Sequence, residues 1–465
     1  MVGKARPGTA MLFWALAAIF ITASCGSVAT QTKLYAPITD ELRSGRYQAA
    51  AEKFEASKKK FDKKDRFLYY VDSGALYYYA GSYDSCVARL TLAENAAEDL
   101  FTKSISRAAT SFLLNDNVLE YSGEDYEVLY ANLLKALSFA EMGKYEDAFV
   151  EIRRANLKLG LLEQKYVGAA AILTRSKPND VPDVTYDPKS VRFSNDAFAR
   201  YLSMHMYAAL GKMDDAGIDH DLLAEAFETQ PDIYDFPLPP VSYAPDSGAI
   251  LSIVGLVGLS PVKEALNLRI RTDKDLDLVQ VLYTDSENQD AEYGHLPWPV
   301  NEDYYFKFAL PKLVSRPTEV GSIMVYADDS LLGELQLLEN VSQVAEETFE
   351  AKKSLIYFRS VARAVAKGLT THKLKDKVDS GGLGGWLKKA AVDVGSDISE
   401  NADLRCARFL PGRILVADFN LPPGQHDIRL EILDHGGHLI AEEARSSFDV
   451  RTGAFNLIPL SLTAY

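Results

Sequence analysis

The chain has 465 residues, 47% hydrophobic and 25% charged, which suits two or three globular domains that each bury a core. Its formal net charge is −15. A surface this acidic repels phosphate backbones and anionic headgroups, which argues against nucleic-acid binding and against broad electrostatic adhesion to membranes.

Residues 1–24 read as an export signal. Lys4 and Arg6 make a cationic start, and Met11 to Thr22 form an apolar run shorter than the ~20 residues that a membrane span needs. Small Ala23 and Ser24 then lead into Cys25. Thr22-Ala23-Ser24-Cys25 resembles the bacterial lipobox, with Thr22 where leucine is common. The resemblance implies cleavage before Cys25, an acyl (palmitate-type) anchor at that residue, and a tether over 25–34. Gly26 follows instead of the aspartate that retains enteric lipoproteins at the inner membrane, so a periplasm-facing outer-membrane location is expected. An ordinary secretory signal with a chance cysteine is the alternative. Cys86 and Cys406 fall in different expected domains and are read as separate thiols, with Cys86 buried.

Residues 35–230 carry an internal repeat of helical hairpins. The turns are Gly45-Arg46-Tyr47, Gly81-Ser82-Tyr83, Gly143-Lys144-Tyr145 and Gly211-Lys212-Met213, each followed by a small residue: Ala50, Cys86, Ala148 and Ala216. Glycine suits a helix end in the left-handed region, and the small residue lets two helices approach closely. Stacked hairpins cover one another's apolar faces. Gly74, Tyr77, Gly81, Tyr83 and Leu90, and then Ala136, Phe139, Gly143, Tyr145, Ala148, Ile152 and Ala155, resemble the tetratricopeptide repeat family. The turn spacing exceeds the ~34-residue period of a regular array, so residues 100–122 and 155–170 are either divergent hairpins or excursions.

Tyr77, Tyr78 and Tyr79 crowd one helix and offer a candidate aromatic groove for a peptide or a sugar, with repeat packing as the competing explanation. Asn115, Asp116, Asn117 and Tyr121 are further candidate binding residues; with Glu124 and Asp125 they form an acidic, amide-rich loop that fits no calcium-loop spacing. Ser122 is the expected helix cap there.

Prolines 231, 237, 239, 240 and 245 make 231–247 a stiff linker. Over 248–465, alternating runs predict an antiparallel β-sandwich-like domain. These runs are Leu251–Leu256, Ala265–Arg271, Leu278–Tyr283, Tyr304–Leu310 and Ser322–Tyr326, then Arg413–Phe419, Asp427–Leu433, His438–Ala444, Ser447–Arg451 and Phe455–Leu462. A helical insertion spans about 341–400. Its basic stretch, 343–377, either meets a membrane or partner surface or packs on the sheet. The fold expected is therefore α+β multidomain: a tetratricopeptide-like α-superhelix, then a sandwich with one long inserted helix.

No pattern points to catalysis, a cofactor or a metal. Asp434-His435-Gly436-Gly437-His438 reads as a hairpin turn, and no nucleophile elbow or zinc-protease helix appears. Three stretches carry a wider resemblance: Leu114–Asn117 with Tyr121–Asp125, Gly258–Glu264, and Asp403-Leu404-Arg405 ahead of Leu410-Pro411. They are similar to a group of tetratricopeptide-repeat-containing bacterial lipoproteins of no established activity, with Ala407 where that group carries tryptophan. Some members are encoded beside lipoprotein activators of peptidoglycan synthesis, which implies a cell-envelope role by association. The expectation is a membrane-anchored, non-enzymatic scaffold that binds an envelope protein or peptide, including cell-wall synthesis machinery. A glycan-capturing lipoprotein is the alternative, and a cell-wall enzyme the third reading.

Overall fold

The computed structural model describes residues 27–108, 117, 119–176, 193–245, 247–284, 290–297, 305–350 and 402–464, with 352, 353, 356, 357 and 360. Cys25, Asn115, Asp116 and the signal lie outside the described residues, as does most of the basic stretch beyond 353. The chain is α+β, with helices in its first half and three four-stranded sheets in its second among the described residues.

Helices pair in order along the first half: α1 (Ser27–Arg43) with α2 (Tyr47–Glu55), α3 (Arg66–Tyr79) with α4 (Tyr83–Ala108), α5 (Asp125–Glu141) with α6 (Tyr145–Ser176), and α7 (Ala197–Ala209) with α8 (Met213–Thr229). The four turns share one backbone solution. Gly45, Gly81, Gly143 and Gly211 have φ of 68°, 69°, 71° and 70°. In the second, Gly81 N–H donates to Tyr78 O (3.0 Å) and Ser82 N–H reaches back to Tyr77 O (2.9 Å); the other three repeat this pair of bonds. That is the Schellman arrangement, which satisfies the last carbonyls of the first helix. Ala50, Cys86, Ala148 and Ala216 are all fully buried, as close helix approach requires. Part of the extra length between turns comes from α4 and α6, which run on as single helices of 26 and 32 residues.

Sheet I has the order β12 (Asn456–Leu462), β1 (Ala249–Leu259), β9 (Pro411–Leu421), β8 (Gln336–Glu339). Sheet II runs β11 (Leu439–Val450), β10 (Gly424–Asp434), β6 (Val320–Ala327), β7 (Ser330–Glu334). Sheet III is β4 (Asp290–Pro297), β3 (Leu278–Thr284), β2 (Val262–Asp273), β5 (Tyr305–Val314). The pairing is antiparallel except for β1 and β12, which run parallel from Leu251↔Asn456 to Val257↔Leu462. The two strands expected over 438–451 form one, β11, kinked at Ser447 with φ 54°.

β1 is nearly continuous in apolar residues because both of its faces are covered. Val254 and Leu256 join the helices' core with Ile414 and Val416 of β9, whereas Leu251, Ile253 and Val257 face a second core shared with Ile323, Val325, Leu430 and Ile432 of sheet II. Sheet I is thus the middle layer between helices and sheet II. The proline-rich stretch packs on this assembly, with Ile233 and Tyr234 buried. The helix that starts at 341 sends Val341, Val344 and Ala345 into the helical core. No helix among the described residues is long and apolar enough to cross a membrane.

Candidate functional site

The described parts of the three stretches singled out in the sequence converge at the junction of helices and sheets. Helix α5 begins with a capping box in which Glu124, not Ser122, is the cap and Glu127 returns the contact to the Glu124 amide (2.9 Å). Gly123 (φ 88°) precedes it, and a Cβ there would sit 2.4 Å from Phe67 Cε1, so the chain passes too close for any other residue. Glu124 Oε1 accepts from Lys263 Nζ (2.6 Å) and Oε2 from Lys352 Nζ (2.8 Å). Arg405 donates to Asp403, to Asp65 (2.8 Å) and to Leu119 O (2.9 Å). The Tyr121 ring lies between the two cations, 5.1 Å from the Arg405 guanidinium and 5.9 Å from Lys263 Nζ. Asn117 completes the link by donating to Ala402 O (3.0 Å).

Two buried carboxyls fasten the segment 402–410 onto the helices. Glu127 accepts from Tyr121 Oη (2.7 Å) and Ala407 N (2.7 Å). Asp72 accepts from Tyr35 Oη (2.7 Å), Arg408 N (2.7 Å) and Phe409 N (3.3 Å). Burial pushes Asp72 up to about 6 and, with help from the Glu124 charge, Glu127 up to about 7. Burial also opposes ionisation of Glu124, yet Lys263 and Lys352 outweigh it and hold that carboxyl well below the usual range.

The expected binding tyrosines are turned inward. Tyr78 and Tyr79 are buried, and Tyr79 Oη donates to Phe409 O (2.7 Å). Tyr121 is buried in the junction, while Tyr77 is half-buried. The physical reason is the shared core: sheet I and segment 402–410 cover the helix face that a free-standing superhelix would leave open. Cys86 and Cys406 are buried free thiols, and burial pushes Cys86 up to about 12. The Asp434–His438 stretch is the β10–β11 turn, where Asp434 Oδ1 accepts from the amides of Gly436 and His438 (both 2.8 Å). Among the described residues no group of three or more His, Cys, Asp or Glu side chains converges as a metal site.

Sequence reasoning missed three buried polar groups. Lys135, in an apolar run of α5, pairs with Glu94 (3.0 Å) and Glu151 (2.9 Å) while Asn132 bridges both acids. Asp196 and Glu339 meet at the start of α7, where Ala197 N donates to Glu339 Oε2 (3.0 Å); burial raises both carboxyls, Asp196 to about 6. Ser252, His205 and Asp418 form the third group. Ser252 Oγ donates to Asp418 Oδ1 (2.8 Å), and His205 Nε2 lies 3.1 Å from the same oxygen, which Tyr201 Oη also contacts (2.7 Å). A nucleophilic triad needs the serine proton to pass to the imidazole, with the acid behind it. Here hydroxyl and imidazole both turn to one carboxylate, while Ser252 Oγ makes a longer contact of 3.4 Å to His205 Nε2, an arrangement that pins α7 to sheet I. A charged residue inside an apolar periodic run was the available signal for Lys135 and Asp72; the other partners meet only through long-range folding.

Comparison with known proteins finds no matching family model, no matching curated protein and no matching solved structure.

Proposed function

We propose that this chain is a lipid-anchored, non-enzymatic scaffold of a bacterial cell envelope that docks a protein or peptide on a tetratricopeptide-like superhelix. The strand-rich half, read as a sandwich, braces the superhelix from one side. Four hairpins closed by the same glycine turn support the repeat reading, because equal turns give successive hairpins equal entry angles. The observation that carries the docking role is an apolar stripe on α6. Val150, Leu157 and Leu161 are 47%, 65% and 48% exposed, and their spacing of seven and four places them on one helix face. Inward-turned Tyr78, Tyr79 and Tyr121 weigh against the glycan-capturing alternative, which relied on an open aromatic groove.

A photo-crosslinking residue at Val150, on the same stripe, should capture a discrete envelope protein in native cells. The double variant L157E/L161E should abolish that capture while leaving helical content intact, since both side chains are exposed. Undiminished capture by the double variant defeats the docking assignment. Cys25→Ser should block cleavage before that residue and abolish incorporation of labelled palmitate; labelling of the variant equal to that of the wild type defeats the lipid-anchor assignment.

A further inference from the structure

A cleft of about 280 Å³ opens where β1, the segment after β5 and the helix starting at 341 meet. Arg316, Arg413 and His435 line it, and no acidic side chain does. This is unexpected in a chain with 65 acidic and 50 basic residues. Both arginines are half-buried, and both are held by carbonyls rather than carboxylates. Arg316 donates through Nε to Ser260 O (2.7 Å) and through Nη2 to Arg408 O (2.5 Å), and Arg413 donates through Nη2 to Val320 O (2.9 Å). Among the described residues neither forms an ion pair. Carbonyls orient a guanidinium without neutralising it, and for Arg316 the Asp72 carboxyl acts at a distance, without an ion pair.

Burial pushes Arg316 down to about 10 and lowers Arg413 in the same sense, so both stay cationic at neutral pH at an energetic cost. The wall adds a further positive element. Asn340 caps the helix that follows by accepting from Gln343 N (3.2 Å), and both Asn340 and Ser342 line the cleft, so the positive end of that helix borders it. Exposed His435 stands at the rim, its Nε2 3.1 Å from Thr318 O.

We propose that this cleft binds the phosphate monoester group of a small ligand between Arg316 and Arg413, with His435 at the entrance. A phosphate monoester carries about −1.5 to −2 at neutral pH, so one group balances both guanidiniums, whereas a carboxylate balances one. The volume lies at the lower end of ligand pockets and suits a small molecule. The proposal is independent of the docking stripe on α6.

The test titrates the full mature chain with inorganic phosphate, acetate and chloride at matched ionic strength, read by calorimetry and by the phosphorus NMR linewidth. Phosphate should bind saturably, and Arg413→Gln should weaken it ~10-fold or more, the loss of one charge-assisted contact. His435→Glu alters an exposed rim residue, leaves the core untouched, and should weaken phosphate to a similar degree by placing a negative charge at the entrance. Equal responses to the three anions overturn the site, as does saturable binding of acetate alone. Unchanged phosphate affinity in both variants overturns it too.

Discussion

Glu127→Ala probes the joint between the helices and segment 402–410. Glu127 is fully buried and accepts from Tyr121 Oη, Glu124 N and Ala407 N. Truncation leaves three buried donors without an acceptor, a loss on the order of 3–9 kcal/mol at roughly 1–3 kcal/mol each. Removing a carboxyl that burial has pushed up to about 7 returns part of this, about 3 kcal/mol where the group is ionised in both folded and unfolded chains. A net loss on the order of 3 kcal/mol is therefore expected above neutral pH. The pKa is raised on folding, so between the ordinary carboxylate range and pH 7 the folded chain holds the extra proton. The stability this carboxyl contributes is then greatest at acidic pH and declines as pH climbs through 7. Urea unfolding of wild type and variant at about pH 5 and about pH 8 should show the larger deficit at the lower pH. A deficit under about 1 kcal/mol, or one that grows with pH, refutes the reasoning.

Lys135→Met should destabilise the helical half by about 3 kcal/mol in the same assay, because it strips the cation from between buried Glu94 and Glu151 while Lys158 and Arg154 still reach those acids; a loss under about 1 kcal/mol would show that Lys158 and Arg154 suffice. The two glycines of the second hairpin should separate conformational from packing cost by thermal unfolding. Gly81 has φ 69° and open space around a Cβ, so Gly81→Ala should cost about 1 kcal/mol. At Gly74 a Cβ would lie 2.3 Å from Leu90 Cδ2 in the α3–α4 contact, so Gly74→Ala should cost about 2 kcal/mol more. The reverse order would mean that α3 and α4 are not packed as closely as described.

Much of the local structure was legible because it depends on neighbours in sequence. Gly45, Gly81, Gly143 and Gly211 mark turns through a conformation that glycine adopts freely, and the small residue after each marks a close contact. The alternating runs gave most strands of sheets I and II for the same reason. Edge strands β7 and β8, only five and four residues long, carry too little pattern to be seen. The cap of α5 was placed two residues early, at Ser122, because the glutamate box at Glu124 and Glu127 competes with it and wins by its contacts to Lys263 and Lys352.

The sequence by itself therefore determined the helix pairs, their turns and the class of each half, since each of these is set by interactions within about one hairpin. Only the tertiary structure decided what the halves do to one another. It turned Tyr78, Tyr79 and Tyr121 from candidate ligand contacts into core. It brought Glu124, Lys263 and Arg405 into one network and left Arg316 and Arg413 beside a cleft without an acid. Those outcomes depend on sheet I burying both of its faces, and burial between elements hundreds of residues apart leaves no periodic trace along the chain.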